Sequence, residues 1–196
     1  MELNGISCLE IESITPNKQQ IISSQSFGEK LLTVEQLARA IAAYADRASQ
    51  KLRRQHSMAT HIAIFIQTNP FSQNDQHYSQ SASCHLPAAT HDVRIITAKA
   101  TQLLHSIYQP GFKYHKAGII LSALQPENTI GQLDLFQDSV TLGDSRLMAT
   151  LDAINHRFPK STVLAAQGFD QNWKAKAEHI TPRYTTCWED LPIVKC

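Results

Sequence analysis

Long apolar runs, clustered cysteines and charged residues are all scarce in this 196-residue sequence. No apolar run approaches the roughly 20 residues of a membrane-spanning helix, so we expect no transmembrane segment and no membrane partner. The first residues include no basic group, and no apolar core segment follows them, so we expect no signal peptide and a cytoplasmic location. A disulfide scaffold or a structural zinc site is not expected either, because no CxxC motif is present among Cys8, Cys84, Cys187 and Cys196.

Charge is low overall but is distributed unevenly along the chain. Charged residues make up 18% of the sequence and apolar residues 42%, which excludes a disordered chain and indicates one ordinary domain or two small ones. The formal net charge is +1, yet residues 14–124 hold 11 Lys and Arg against 5 Asp and Glu. This basic segment suggests an anionic partner, although an unevenly charged solvated surface explains it equally well.

Hydrophobic periodicity predicts four strands and two helices in the first 124 residues. Thr33 and Gln36 have the spacing of a capping box, and apolar residues follow at helical spacing as far as about residue 55. A second helix is predicted over 92–108. Strands are predicted at 21–28, 61–68, 83–86 and 113–121, with a polar loop at 71–81. The strand at 113–121 is predicted to be central because it ends in three aliphatic residues.

The order β-α-β-β-α-β predicts an α+β domain whose two helices cover one face of a four-stranded sheet and leave the other face free. With a net charge of +6 for residues 14–124, that free face is a candidate docking surface for a nucleic-acid backbone. A small α/β extension is predicted after residue 124. It begins with an amphipathic helix at 144–156 whose apolar stripe is Leu147, Met148, Leu151 and Ile154.

Six stretches of the sequence, taken together, resemble the UmuC branch of the Y-family translesion DNA polymerases. They occur in the family's order and spacing from about residue 2 to residue 194. They are Pro-Asn-Lys-Gln at 16–19 leading into 21–28, Phe-Ile-Gln-Thr-Asn-Pro-Phe at 65–71, Tyr-His-Lys-Ala-Gly at 114–118, Gln-Leu-Asp-Leu-Phe at 132–136, the helix at 147–155, and Tyr-Thr-Thr-Cys-Trp-Glu-Asp-Leu-Pro at 184–192.

The resemblance covers the C-terminal part of such a polymerase and implies four regions. These are a linker at 1–20, the little finger domain at 21–124, a linker with a clamp-binding motif at 125–143, and a UmuC-type C-terminal domain at 144–196. Palm, fingers and thumb are missing, which implies a truncated or interrupted gene product. Nucleotidyl transfer needs carboxylates that hold two metal ions about 4 Å apart, and in this family they lie in the palm. We therefore assign no catalytic residue and no cofactor to this chain, although the parent family uses Mg²⁺.

The resemblance also implies that the little finger domain holds primer-template DNA through its phosphate backbone. Hydroxyl, amide and Lys groups bind phosphates without reading the base sequence. Family members commonly have Arg where this chain has Gln25, which weakens the expected contact there. The candidate DNA contacts are Lys18, Ser24, Gln25, Ser26, Gly28, Thr68, Lys113, His115 and Lys116.

A second candidate site is the peptide Gln132, Leu133, Asp134, Leu135 and Phe136, which resembles the sliding-clamp-binding motif of bacterial polymerases. Gln offers hydrogen bonds, and the Leu-Phe pair supplies anchors for an apolar pocket. The alternative is that the peptide packs under its own domain. The resemblance further implies the UmuD′ dimer as a partner of the C-terminal region, RecA as another candidate partner, and a role in SOS mutagenesis and DNA repair.

Three other interpretations of the sequence stay open. The chain is a protein-interaction fragment that binds the clamp or UmuD′ and competes with the intact polymerase without appreciable DNA binding, or an independent metal-dependent enzyme, or a relic without function. No acid–base pair or nucleophile arrangement supports the enzyme interpretation, and the nearest metal-ligand grouping lacks ligand spacing. That grouping is His77, Cys84, His85 and His91.

Overall fold

The structure, a computed structural model, describes residues 17–73, 75–127 and 144–158 together with Thr181, Cys187, Trp188 and Leu191. Four strands and three helices are formed there. They are β1 (Ile21–Leu31), α1 (Val34–Arg54), β2 (Ser57–Thr68), β3 (Ser79–Thr90), α2 (Val93–Ile107), β4 (Tyr114–Pro126) and α3 (Ser145–Arg157). None of the helices in this described part is long and apolar enough to cross a membrane.

The strands form one antiparallel sheet in the order β1-β4-β2-β3. Because β4 lies between β1 and β2, helix α1 crosses over β4 to join two parallel strands, and α2 similarly crosses β2 to join β3 and β4. Both helices pack on the sheet and on each other. The predicted α+β class, the order of the first six elements and the central position of the 113–121 strand are confirmed.

Every second side chain of the central strands points toward the helices, and these side chains form the sheet half of the hydrophobic core. On β2 the side chains of Ile62, Ile64 and Ile66 are fully buried against the helices, and Ile119 and Leu121 of β4 are buried in the same way. Burying an aliphatic side chain of this size contributes about 1.5–3 kcal/mol. The helices contribute the opposite half of this core, with fully buried Leu37, Ile41, Tyr44, Leu52, Ile96 and Leu104.

Helix α1 begins with the predicted capping box. The Thr33 hydroxyl accepts a hydrogen bond from the Gln36 backbone N–H at 3.3 Å, and Gln36 Oε1 accepts from the Thr33 N–H at 3.3 Å. Two of the N–H groups that a helix leaves unpaired at its start are thereby satisfied. The helix ends at Arg54, and the chain then turns into β2 through His56, which has a left-handed φ of 52°.

Strand β3 is longer than predicted, and residues 79–81 belong to it rather than to a loop. It also continues past Pro87, where the sequence indicated its end. Among the described strands it lies at the edge of the sheet and pairs only with β2, so a residue without an N–H is tolerated there. The register shift between the Ala59–Thr90 and His61–His85 pairs contains this proline.

Helix α3 forms where predicted, but its stripe does not make a core. Met148 is buried, whereas Leu147 is 36% exposed and Ile154 is 41% exposed. The helix is held instead by a bidentate ion pair between Arg53 and Asp152, with N–O distances of 2.6 and 2.7 Å. These partners are 99 residues apart in the chain, so no local pattern indicates their contact.

A second contact holds the start of α3 at the same corner of the fold. The backbone N–H of Asp144 donates to Asp92 Oδ2 at 3.1 Å, and the Asp92 side chain also caps α2. At the end of β4, the N–H of Glu127 donates to the His56 carbonyl at 2.9 Å, and the Glu127 carboxylate lies 3.2 Å from His91 Nε2. Both ends of the 128–143 segment are therefore attached next to the consecutive residues His91 and Asp92.

Gly118 lies in the middle of the sheet, where neighbouring side chains come close to its backbone on the side away from α1 and α2. A Cβ at this position would collide with Ser24 Cβ and would lie 2.6 Å from the Cε1 and Cζ atoms of Phe65. The Phe65 ring therefore lies across β4 above the glycine, an arrangement that shields a glycine in a sheet.

We expect Gly118→Ala to lower the free energy of unfolding by about 1–3 kcal/mol, because the added methyl group overpacks against Ser24 and Phe65. Urea unfolding followed by circular dichroism measures the change. The control is Ser83→Ala, at an exposed position of β3 on the same side of the sheet as Gly118. It should shift the free energy of unfolding by less than about 0.5 kcal/mol. Equal stabilities for the two variants would contradict the close approach.

Candidate nucleic-acid interface

The face of the sheet opposite α1 and α2, named the open face from here on, is made of four cross-strand rows. Its side chains are half-buried or exposed except at Gly118, which the Phe65 ring covers. The rows are Ser26, Lys116, Gln67 and Ser79; then Ser24, Gly118, Phe65 and Ser81; then Ile22, Ile120, Ala63 and Ser83; and finally Ser122, His61 and His85.

Three predicted DNA contacts come together on the open face. Ser24 and Ser26 project from β1, and Lys116 is the direct cross-strand neighbour of Ser26 on β4. Neighbouring strands are about 4.8 Å apart, so the Ser26 hydroxyl and the Lys116 ammonium group can reach one phosphate. Lys116 Nζ also lies 5.9 Å from the centroid of the Phe65 ring, a cation–π contact that restrains the side chain.

Two predicted contacts are placed where their side chains do not reach a ligand on the open face. Gln25 alternates with Ser24 and Ser26 and pairs with the buried Ala117, so it lies on the helix side of the sheet. Thr68 is fully buried, and its hydroxyl accepts from the Tyr78 N–H at 2.9 Å. The structure thus places Thr68 in the interior and Gln25, half-buried, on the helix side, so neither side chain faces the predicted DNA-binding surface.

The remaining predicted contacts lie at the borders of the sheet. Gly28 is half-buried in the irregular part of β1 after Ser26, and His115 is the extra residue of a bulge in β4. Lys113 precedes β4 and pairs with Asp75 at 3.3 Å. Lys18 is exposed before β1, at the end of that strand away from Lys116, and its carbonyl accepts from Gln55 Nε2 at 3.3 Å.

The positive charge of the 14–124 segment is not concentrated on the open face. Only Lys116 among its eleven basic residues lies there, whereas helix α1 alone holds five, namely Arg39, Arg47, Lys51, Arg53 and Arg54. The prediction of a positively charged sheet surface is therefore wrong, because most of the positive charge lies elsewhere. A count along the chain does not reveal which layer holds the charges: four of the five are exposed on α1, and Arg53 is paired with Asp152.

An ion cluster at the Lys116 end of the sheet neutralises part of the remaining charge. The Asp75 carboxylate is 3% exposed, pairs with Lys30 and Lys113, and accepts a hydrogen bond from the Ser72 hydroxyl at 2.8 Å. The hydrogen bond from Lys30, followed by that from Ser72, lowers the pKa of Asp75 to about 2. The cluster links the β2–β3 loop to the residues that border β1 and β4.

Several open-face residues were missed because the sequence placed them in a loop or gave them no role. Ser79 and Ser81 extend the predicted 83–86 strand, and the alternation of serine with other residues at 79, 81 and 83 is the signal that could have revealed it. Gln67, beside Lys116, and the histidines of the last row were likewise not selected. Among the described residues, no group of three His, Cys, Asp or Glu is arranged to hold a metal ion.

We expect Lys30→Met to raise the pKa of Asp75 from about 2 toward its ordinary value of 3.8, because the largest cause of the shift is removed. A carboxyl NMR titration measures this change. A lowered native pKa stabilises the fold above about pH 4, and this contribution disappears as the pH falls through about 2. Lys99→Met on α2, where Lys99 bonds to Gln102, should leave the titration of Asp75 unchanged. An unaltered pKa in Lys30→Met would contradict the cluster.

Comparison with known proteins divides the chain into two matched parts. Residues 18–135 match the impB/mucB/samB family C-terminal domain, and residues 145–194 match a domain of unknown function, DUF4113. Protein UmuC of Salmonella typhimurium is 40% identical over 196 residues, which cover 99% of this chain and 46% of that protein. Protein MucB of Escherichia coli is 38% identical over 194 residues, covering 98% and 45%. The chain thus spans about half the length of the curated relatives it matches.

Solved structures with a similar arrangement include DinB from Sulfolobus solfataricus and an insertion ternary complex of Dbh DNA polymerase. The first has a TM-score of 0.43 and 10% identity over 53% of this chain and 28% of that one. The second has a TM-score of 0.42 and 10% identity over 55% and 30%. The family match, which covers more than half of the sequence, is the finding that decides membership: this chain belongs to the impB/mucB/samB family and contains its C-terminal domain.

Proposed function

We propose that this chain is the DNA-binding and clamp-binding portion of a UmuC-like translesion polymerase and performs no nucleotidyl transfer itself. Family membership supports the assignment to this class of polymerase. The single observation that carries the DNA-binding part is the open face, where Ser24, Ser26 and Lys116 stand on adjacent central and edge strands. A role in SOS mutagenesis, a cytoplasmic location, and UmuD′ and RecA as partners belong to the same proposal.

The chemistry of the open face favours contacts to phosphate rather than to bases. Serine hydroxyls and the Gln67 amide donate hydrogen bonds to phosphate oxygens, and these contacts carry no sequence information. Lys116 adds one released counterion, and the salt dependence of binding grows with the number of such cations. With Lys30 and Lys113 sharing Asp75, we expect a slope of log affinity against log salt of only about −1 to −3.

The clamp-binding part of the proposal depends on the peptide from Gln132 to Phe136, which lies outside the described residues. The described ends of the 128–143 segment support it indirectly, because Glu127 and Asp144 attach to the neighbouring residues His91 and Asp92. The chain therefore leaves β4 and enters α3 at neighbouring points of one corner of the domain. Tethering raises the effective concentration of a second binding event, here clamp against DNA.

The low charge of the open face favours one alternative function. A protein-interaction fragment that binds the clamp or UmuD′, and competes with the intact polymerase without holding DNA, needs no cationic sheet. Lys116 is the only Lys or Arg in the four rows of the open face, which is few for a DNA-binding surface. Measured DNA affinity therefore separates the two functions.

We expect the protein to bind primer-template DNA at low salt without sequence preference, and Lys116→Ala to weaken binding about threefold to tenfold and lower the salt slope by about 1. Fluorescence anisotropy with a labelled duplex measures both quantities. Arg39→Ala removes an exposed cation from α1 and should leave binding nearly unchanged. No binding at low salt would reject the DNA-binding function. A loss in Arg39→Ala without a loss in Lys116→Ala would indicate that the DNA binds the helix layer instead.

Replacing Leu135 and Phe136 by Ala should abolish capture of the protein by an immobilised bacterial sliding clamp, because the two apolar anchors of the motif are removed. Surface plasmon resonance with purified clamp measures the loss. Leu147→Ala, an exposed leucine of α3 outside the motif, serves as the control and should bind like the wild type. Retained capture of the double variant would refute the motif, whereas capture without DNA binding would favour the protein-interaction function.

A further inference from the structure

The last row of the open face brings two histidines together beside a hydroxyl group. His61 on β2 and His85 on β3 are direct cross-strand partners, and their ring centroids lie 4.9 Å apart at an interplanar angle of 64°. His61 Nδ1 lies 3.0 Å from the Ser122 hydroxyl on β4. The Ser122 contact fixes the His61 ring, while His85 is exposed.

The charged groups at this end of the sheet include Lys18, which is exposed before β1, and Glu127 after β4. From β3, the other titratable group is Cys84, which alternates to the helix side, and β4 contributes Ser122. Strand β1 begins at Ile21 opposite Leu121 and so does not reach this row. The carboxylate of Glu127 lies farther along and is engaged with His56 and His91. No ion pair to His61 or His85 occurs in the described part of the chain.

This row stands at the opposite end of the open face from Lys116. Gln67, the neighbour of Lys116, lies six positions after His61 on β2, which corresponds to about 20 Å along the strand. Between the two polar ends lies an apolar row of Ile22, Ile120 and Ala63. The spacing exceeds the width of about 12 Å of a major groove, so the two ends can reach phosphates on both of its sides.

We propose that His61 and His85, with Ser122, form a second phosphodiester-binding edge of the open face whose affinity depends on pH. The inference rests on the proposed DNA-binding function and assigns residues that the sequence did not indicate. Imidazole side chains generally change charge between pH 5 and 8. Because Lys116 is the single permanent cation of this face, two protonated histidines change its formal charge from +1 to +3.

The direction of the pH effect follows from which form binds the phosphate. The imidazolium form donates two N–H groups and carries a charge opposite to that of the phosphate, so affinity rises as the pH falls. In the free protein, two rings 4.9 Å apart repel each other when both are charged. A phosphate between them offsets that repulsion.

The test compares the affinity and salt slope for a labelled primer-template duplex at about pH 8 and about pH 6, the interval in which imidazole titrates. The wild type should bind roughly twofold to thirtyfold tighter at the lower pH, the range expected for two exposed charge pairs. His61→Gln/His85→Gln should lose more than half of this gain. The control, His105→Gln/His156→Gln, removes two exposed imidazoles from α2 and α3 and should keep the gain.

A second variant keeps the proposal testable if the double glutamine variant fails to fold. His85→Lys places one permanent cation on the exposed edge strand, so affinity at about pH 8 should rise by part of the gain that the wild type shows at about pH 6. Equal pH gains in the wild type and both double variants, or no gain at pH 8 from His85→Lys, would overturn the inference while leaving DNA binding intact. Absence of DNA binding by all variants at both pH values would instead reject the proposed function.

Discussion

Antiparallel pairing of β4 with both β1 and β2 fixes the two faces of the sheet at once. In this register Ile119 and Leu121 are buried under the helices, while Lys116 and Ser122 face outward. A slip of one residue would exchange the two sets and expose the aliphatic side chains. Gly118 reinforces the register, because the Phe65 ring lies against it and leaves no room for another side chain. The chemistry of the open face is thus a consequence of core packing on the opposite side.

The chain combines a hydroxyl-rich sheet face with a basic helix layer. Serines and one glutamine surround Lys116, whereas the arginines of α1 lie in the other layer. Such a sheet face suits neutral hydrogen bonds to a backbone of any sequence, with little contribution from counterion release. In the proposed function, clamp binding is a second attachment that adds to these weak contacts by raising the effective concentration.

The sequence indicated those features that local patterns encode. The capping box at Thr33, the stripe of α1 and the aliphatic end of β4 depend on near neighbours, and each predicted the correct element. The full length of β3 was missed, because an edge strand with outward serines and Pro87 lacks the apolar signal of a strand. The docking of α3 through Arg53 was not predictable, since its partner is 99 residues away. The layer that holds the cations, and the pairing of His61 with His85, likewise depend on register.

The corner formed by His91 and Asp92 affects how the protein tolerates insertions and deletions. Glu127 and Asp144 are attached at adjacent residues, and Arg53 holds α3 through Asp152. The placement of α3 is therefore set by contacts at its own ends, and we expect it to tolerate a change in the number of residues between 127 and 144. The entropy of closing a loop supports this expectation, because doubling the length of a loop costs only about 0.6 kcal/mol.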